Sequence, residues 1–382
     1  MKPLTNQELN LIKKASSEFA GKILAKAIEV AGSDHFSPEY EKAVKKAYEL
    51  DFFHLTIPES AGGIGAGLRA FCSVLENISI VDTSLAAIIL TTVSALEIPV
   101  ALGMDIYRNE NVKEIASVSD FLMAFPLFLD PVEFEVPLTA RKKGNGYVLS
   151  GNLENLVLGN CANKAVVPAL IRNDSNFYYF IVDLTANSTH KKIVKGLGIL
   201  SCPICDIRFV DSPAELCSSP NGGITDFSLI SSKYSVALCA MQNGLMKGAL
   251  KDALDYTKRR YQGGRPIIHW SEVKKILSDM ALNIKLSDML INQCCSVYEN
   301  NLSEFDICSA SAFIKTCEMA CRVTSDGIRV MGGVGYMEDF HQEKRFRDAR
   351  HLMVAFGPLQ AKKIGFLENF VTKSAIYNQK EG

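Results

Sequence analysis

The sequence lacks a charge excess, a long apolar run and an apolar leader, and each absence excludes a class of protein. Its 41 basic and 42 acidic residues give a formal net charge of −1, so no surplus of basic charge is available for nucleic-acid phosphates. No run reaches the roughly 18 apolar residues of a membrane-spanning helix. Residues Met1 to Glu8 contain no apolar segment of a secretory signal, and a cytoplasmic location is therefore expected.

Metal-binding cysteine patterns are also scarce. Eleven cysteines are present, but their spacing is irregular and their neighbours are apolar. Without a secretory signal, such cysteines are expected to be reduced and mostly buried as small hydrophobic side chains. One Cys-x-x-Cys occurs, Cys202-Pro203-Ile204-Cys205, without the second copy that a four-cysteine zinc site needs. We therefore predict no metal site, and we favour packing over a redox role for this pair.

Apolar residues recur at helical spacing at both ends of this 382-residue chain. Ser37-Pro38 and Asp82-Thr83 have the residue types that begin helices. The predicted N-terminal helices cover about 7–31, 38 to near Glu49, 67–79 and 83–103. Four further helices, which by their number form a bundle, are predicted over about 229–260, 270–299, 304–330 and 358–377.

The middle of the chain has the alternation and turn residues of β-strands. Arg141 to Gly151 is typical of two strands joined by a glycine turn. Further strands are predicted at 165–171, 177–182 and 205–210. The predicted fold is α+β, with an N-terminal helical domain over 1–120, a β-domain over 121–225 and a helical bundle over 226–382.

A glycine cluster, Gly332-Gly333-Val334-Gly335-Tyr336, lies between a predicted helix and the charged run Arg347-Asp348-Ala349-Arg350. Glycines let a backbone come close to another chain or to ligand phosphates, although a plain helix–turn–helix would also explain them. Two other motifs are Ile57-Pro58-Glu59 before Gly62-Gly63-Ile64-Gly65, and Arg260-Tyr261-Gln262-Gly263-Gly264-Arg265-Pro266-Ile267.

In their order and spacing these segments resemble the acyl-CoA dehydrogenase family over nearly the whole chain. The resemblance implies an N-terminal helical domain, a middle β-barrel-like domain and a C-terminal four-helix bundle, assembled as a tetramer. It also implies FAD at a subunit interface and an acyl-CoA thioester as substrate. In that family a desolvated carboxylate removes the α-proton, the flavin accepts the β-hydride, and electrons pass to an electron-transferring flavoprotein.

The resemblance finds no catalytic base in this chain. The family's usual glutamate position is occupied by Phe356, and the alternative position, on the first bundle helix, is occupied by Tyr234. A phenylalanine cannot accept a proton, so no catalytic residue is predicted.

The residues that would contact the flavin ring have become apolar. The family's Thr-Glu-Pro-x-Ala-Gly-Ser-Asp aligns with 124–131, which keeps only Pro126, and Val157 replaces a threonine that bonds the ring. Ser235 replaces an arginine near the CoA. Unpaired buried polar groups cost ~1–3 kcal/mol, so a site that no longer holds a ring is expected to change in this direction.

Residues for the other half of FAD are retained. In the family, one subunit contacts the ADP half of its neighbour's FAD through positions that correspond here to Arg260, Gln262, Arg329, Gly332 and Gly333. Arg329 replaces a glutamine and can still pair with a pyrophosphate. For each arginine a structural role, such as interaction with a helix dipole, is the alternative.

Gln360 corresponds to a family residue that contacts FAD within its own subunit. The run Arg345 to Arg350 is interpreted as an interface salt-bridge network, and His351 as a less favoured surrogate acid or base.

Three functions remain open from the sequence. The first is a non-catalytic subunit that pairs with a catalytic paralogue in a hetero-oligomer and completes the partner's FAD site. The second is a competent FAD-dependent oxidoreductase with a relocated base, or a flavin monooxygenase of the same fold. The third is a flavin-free acyl-CoA binding or scaffold protein.

Overall fold

The N-terminal part of the chain is helical, as predicted. The structure is a computed structural model that describes residues 5–31, 36–104, 117–172, 174, 176–219 and 222–373. Thr5 begins the first helix with a capping box, because its side chain accepts the Glu8 N–H while the Glu8 carboxylate accepts the Thr5 N–H. The helices of this part are α1 (Asn6–Phe19), continued by a π-helical turn (Ala20–Leu24) into α2 (Ala25–Ala31), then α3 (Pro38–Glu49), α4 (Gly67–Val81) and α5 (Thr83–Ala101).

Helix α5 corrects the expectation that no segment of the chain resembles a membrane-spanning helix. By length and composition it could cross a membrane, since a window of 18 residues has a mean hydropathy of 1.8. That window is 83% buried inside the protein, which is the environment of a core helix in a large domain.

The middle part is a seven-stranded sheet that closes on itself. The strands are β1 (Met123–Ala124), β2 (Leu138–Lys143), β3 (Gly146–Val157), β4 (Lys164–Ile171), β5 (Phe177–Asp183), β6 (Thr189–Val194) and β7 (Ile204–Leu216). Strand β5 pairs with both β7 and β4, so the path β4-β2-β3-β7-β5 returns to β4, which confirms the barrel-like prediction. Strand β6 pairs with β7 and was not predicted.

The C-terminal part is a helical bundle. Its helices are α6 (Gly223–Arg259), α7 (Ser271–Asn300), α8 (Phe305–Met331), α9 (Gln342–Leu352) and α10 (Leu359–Lys373), with a short hairpin of β8 (Tyr261–Gln262) and β9 (Arg265–Pro266) after α6. The α6 helix begins six residues before its predicted start. Predicted positions 374–377 lie outside the described residues, and the three domain boundaries stay predictions.

Helix α9 was not predicted, because the charged run that forms it has no apolar stripe. Its charges pair within the chain: Arg345 with Asp252 at 2.5 Å and Arg347 with Glu343 at 2.7 Å. The salt-bridge network predicted here therefore exists, but these pairs hold one chain together rather than joining two chains.

A buried ionic network joins the three parts of the molecule. Lys344 on α9 lies 2.8 Å from Asp82, which caps α5, and 2.7 Å from Asp348. Asp348 also accepts the Ile199 N–H, from the loop before β7, at 2.6 Å. Tyr40 donates to Asp82. Because all these carboxylates and the ammonium are buried, the network fixes α9, and hence the turn after it, against the β-domain.

Candidate functional site

Phe356, at the expected base position, lies in the turn between α9 and α10 and is fully buried. Its φ of 54° is in the left-handed region that few non-glycine residues adopt. Its N–H donates to the Leu127 carbonyl at 2.7 Å, and its ring meets Phe227 of α6 edge-on, with centroids 6.2 Å apart. The turn is thus held by the β-domain on one side and by the bundle on the other, with an apolar ring where a base would be needed.

The segment predicted to face the flavin ring packs beside this turn. Phe125 and Val157 form a bridge in which each N–H donates to the other's carbonyl at 3.2 Å. Leu127 donates its N–H to the Phe125 carbonyl at 2.9 Å. Ala124, Phe125, Leu127 and Val157 are all buried. The structure brings these positions together with Phe356, and their backbone donors are already used within the chain.

Asp130 closes the loop onto the same turn. A Cβ atom added at Gly357 would lie 2.8 Å from the Asp130 Cβ and 3.0 Å from its Oδ2, so only glycine allows this approach. The other Asp130 oxygen accepts the N–H groups of Val132 and Glu133 at 3.0 and 3.2 Å. The acidic side chain is therefore part of a packed loop.

Tyr234, the alternative base position, is a hydrogen-bond donor. Its hydroxyl donates to Glu97 at 2.5 Å, and Lys233 donates to the other oxygen of Glu97 at 2.5 Å. Burial, and then the Glu97 charge, raise the pKa of Tyr234 well above its ordinary value, so the phenol stays protonated. Sequence reasoning missed Glu97, although the signal was present: it is the one charged residue in α5.

His351 is engaged in packing between the domains. Its Nδ1 accepts the Gly198 N–H at 3.1 Å, and its ring meets Phe128 at 4.8 Å. Burial lowers the pKa of His351, so the imidazole is neutral at neutral pH. These contacts support a structural role for His351 over the acid–base alternative.

The retained arginine segment projects from the bundle as an exposed hairpin. Arg260 and Gln262 are exposed, and among the described residues the Arg260 guanidinium has no ion-pair partner. Trp270 holds the hairpin, because its Nε1 donates to the Gln262 carbonyl at 3.3 Å and Arg265 stacks on its ring at 3.9 Å. Trp270 therefore has a packing role in this hairpin.

The first two residues of the glycine cluster at the end of α8, Gly332 and Gly333, are exposed to solvent. Gly332 has a φ of 65°, and a Cβ at Gly332 or Gly333 would meet nothing within 4 Å. Internal packing therefore does not explain why Gly333 lacks a side chain. Arg329 is 66% exposed and lies 3.3 Å from Asp326. The ring of Tyr256, near the end of α6, lies 6.4 Å from that of Phe340, which places the turn after the glycines near the arginine hairpin.

The predicted cofactor residues therefore fall into two groups. Arg260, Gln262, Arg329, Gly332 and Gly333 are exposed on the bundle surface, whereas Gln360 is exposed at the start of α10, next to the Phe356 turn. No group of three or more potential metal ligands occurs within the described residues, and the buried Cys202 and Cys205 pack in the core.

Two models of one protein family match this chain. The description "Acyl-CoA dehydrogenase, N-terminal domain" matches residues 6–118, and "Acyl-CoA dehydrogenase, C-terminal domain" matches residues 234–364. The chain belongs to the acyl-CoA dehydrogenase family.

Individual relatives of this family are distant but match along nearly the whole chain. Cyclohex-1-ene-1-carbonyl-CoA dehydrogenase of Syntrophus aciditrophicus (strain SB) is 24% identical over 374 residues, covering 95% of this chain and 90% of that protein. Caffeyl-CoA reductase-Etf complex subunit CarC of Acetobacterium woodii is 23% identical, covering 94% and 97%. The structure of PigA with FAD and proline superposes with a TM-score of 0.84 at 17% identity, covering 98% of this chain and 100% of that chain.

Membership of the acyl-CoA dehydrogenase family supports FAD as the cofactor. The residues of this chain fit the ADP half of FAD and do not fit its flavin ring. On the ring side, the backbone donors of Phe125, Val157 and Phe356 are used internally and the surrounding side chains are buried and apolar. On the bundle surface, Arg260 and Gln262 offer exposed donors of the kind that bind phosphate and adenosine oxygens.

Proposed function

We propose that this chain is a non-catalytic subunit of a hetero-oligomeric, FAD-dependent acyl-CoA dehydrogenase, located in the cytoplasm. A catalytic paralogue would hold the flavin ring, the base and the acyl-CoA. This chain would contribute Arg260, Gln262, Arg329 and the Gly332-Gly333 backbone to the ADP half of the partner's FAD.

One observation carries this proposal. The same chain has an apolar, internally bonded turn at Phe356 and an exposed arginine, Arg260, that has no ion-pair partner in the part of the chain that the structure describes. If the chain had lost its residues for both halves of FAD, selection would not have kept a cationic hairpin beside the exposed glycines. A site that had kept both halves would have polar groups facing the ring.

The chemistry supplied by this chain would be binding and orientation. FAD, when bound, accepts a hydride from the substrate. The Arg260 guanidinium would pair with the negative pyrophosphate, since an arginine presents two parallel N–H donors to such an oxyanion. The exposed backbone at Gly333 would let the cofactor approach closely, because no Cβ stands in the way. An association with an electron-transferring flavoprotein through the complex, and a tetrameric assembly, are parts of the proposal; the relative CarC belongs to a reductase-Etf complex.

Arg260→Ala tests the contribution of the hairpin. In a complex with the catalytic partner, we expect the variant to weaken FAD binding about 10- to 100-fold, because charge-assisted hydrogen bonds are worth roughly 1.5–3 kcal/mol. The folding stability of the chain should be unchanged, since Arg260 is exposed. FAD binding would be measured by fluorescence titration of the apo-complex.

Arg259→Ala is the matched control, because Arg259 is also exposed but its Nε donates to the Asp255 carbonyl at 3.1 Å. It should bind FAD like the wild type. Equal FAD affinity in the Arg260 variant and the wild type would rule out the proposed role of the hairpin.

A second function is favoured by one observation, the Glu97 carboxylate beside the alternative base position. Such an enzyme would use Glu97 as a relocated base for the substrate's α-proton and would bind its own FAD. Both oxygens of Glu97 already accept short hydrogen bonds, one from Lys233 and one from Tyr234, so the carboxylate is engaged within the chain. We therefore place this function second.

A further inference from the structure

Two consecutive cysteines on α7 each face another cysteine on a different helix. The Cys294 sulfur lies 3.2 Å from that of Cys308 on α8, and it also donates to the Cys308 carbonyl at 3.4 Å. Cys295 instead lies against Cys72 of α4, and both of those thiols are buried. The Cys294 and Cys308 sulfurs therefore approach closely across the α7–α8 connection, at one end of the bundle.

The two members of the pair differ in exposure and in acidity. Cys294 is fully buried, whereas Cys308 is half-buried and can be reached from solvent. The hydrogen bond from Cys294 lowers the pKa of Cys308 to about 7, against the opposing effects of burial and of Glu304. The same bond, with burial, raises the pKa of Cys294. A half-exposed thiolate beside a protonated thiol is the arrangement of a reactive cysteine and its resolving partner.

We propose that Cys294 and Cys308 form a reversible disulfide between α7 and α8 when the protein meets a peroxide. The Cys308 thiolate attacks one oxygen of hydrogen peroxide, the O–O bond breaks, and the leaving hydroxide takes up a proton to become water. The resulting sulfenic acid is then attacked by the Cys294 sulfur, and the S–O bond breaks with release of a second water. Two thiols lose two electrons and two protons, and one peroxide becomes two waters.

The disulfide would restrain the end of the bundle near Glu97 and its hydrogen-bond donors Lys233 and Tyr234. Asp306, two residues before Cys308, accepts a hydrogen bond from Ser232 of α6 at 2.8 Å, and Ser232 precedes Lys233 and Tyr234. A covalent bond between residues 14 positions apart limits the unfolded chain more than the folded one. We therefore expect the oxidised protein to melt a few degrees higher than the reduced protein.

The test uses the full chain with stoichiometric hydrogen peroxide. Of eleven thiols, two should be lost when counted under denaturing conditions, and both should return with dithiothreitol. Cleavage after Glu299 and Glu304 separates the two cysteines, so glutamyl endopeptidase should give a reducible cross-linked peptide pair containing Cys294 and Cys308. Retention of all eleven thiols, or a cross-link to any other cysteine, would overturn the proposal.

Three variants assign the roles. Cys294→Ser should leave a sulfenic acid on Cys308 that dimedone traps. Cys308→Ser should lose no thiol on treatment with peroxide and should show no rise in Tm. Cys161→Ser is the matched control, since Cys161 is also half-buried but burial raises its pKa to about 12. It should form the disulfide like the wild type. Dimedone labelling of Cys294 instead of Cys308 would contradict the assigned order of attack.

Discussion

Replacing Phe356 with glutamate should destabilise the protein by about 3–5 kcal/mol and should create no dehydrogenase activity. Phe356 is fully buried against Phe227, and its N–H is bonded to Leu127. A carboxylate in this place would lose the ring's packing and would be desolvated close to a second acid, Asp130, which packs on Gly357. Restoring the family's base is therefore not enough, because the space beside it is filled by the chain itself.

Urea unfolding measures the loss of stability, and bleaching of added FAD by an acyl-CoA measures the activity. Phe356→Leu is the control, because it keeps an apolar side chain and should cost only about 1–2 kcal/mol. A Phe356→Glu variant with wild-type stability and new acyl-CoA oxidation would show that the turn is open to substrate, and the proposed function would then fail.

Lys344→Met should destabilise the protein by about 3–5 kcal/mol at neutral pH, because it leaves two buried carboxylates without their cation. Lys344 lies within 2.8 Å of Asp82 and 2.7 Å of Asp348, and these three groups join α5, α9 and the β-domain. Guanidinium chloride unfolding measures the effect. Lys363→Met is the control, since Lys363 is half-exposed in its 2.7 Å pair with Glu318 and should cost under about 1 kcal/mol.

The pH dependence of this network has a definite sign. Burial alone would raise the pKa of Asp82, but Lys344 and the hydrogen bonds to Asp82 hold it below its ordinary value. The stability from Asp82 is thus present above the ordinary carboxyl pKa and is lost as pH falls through the lowered one. Burial alone would lower the pKa of Lys344, but Asp348 and Asp82 raise it, so its contribution is lost only as pH rises through that raised value.

Lys344→Met should therefore be less destabilising at pH 4 than at pH 7, because Asp82, left without its cation, can then take up a proton. An equal or greater loss at pH 4 would mean that the ionic contacts do not supply the stability of the interface between the domains.

The sequence predicted the helices and strands that have a regular apolar pattern, and it missed those that do not. Helix α9 is highly charged, and its Lys344 and Asp348 are stable in the core only because partners from other elements meet them. Periodicity along one segment does not show such partners. Strand β6 is mostly exposed, so it has no buried alternation to detect.

For the candidate site, the resemblance located Phe356 and Val157, but their contact through the 125–131 segment is a property of the tertiary structure. Glu97 was visible as a lone charge in an apolar helix, yet its partners Lys233 and Tyr234 lie 136 and 137 positions away. The Cys294–Cys308 approach likewise depends on how α7 and α8 pack. The sequence thus predicted which residues had changed, and the fold was needed to show what fills the space.

The FAD content of the purified protein tests the central claim most directly. The chain should be expressed alone and together with each acyl-CoA dehydrogenase encoded in its genome, and FAD and protein should be quantified in the same sample. The account predicts a nearly flavin-free protein when it is expressed alone, and a stable complex with fewer FAD molecules than subunits when its partner is present. A stable homo-oligomer that carries one FAD per chain would contradict it.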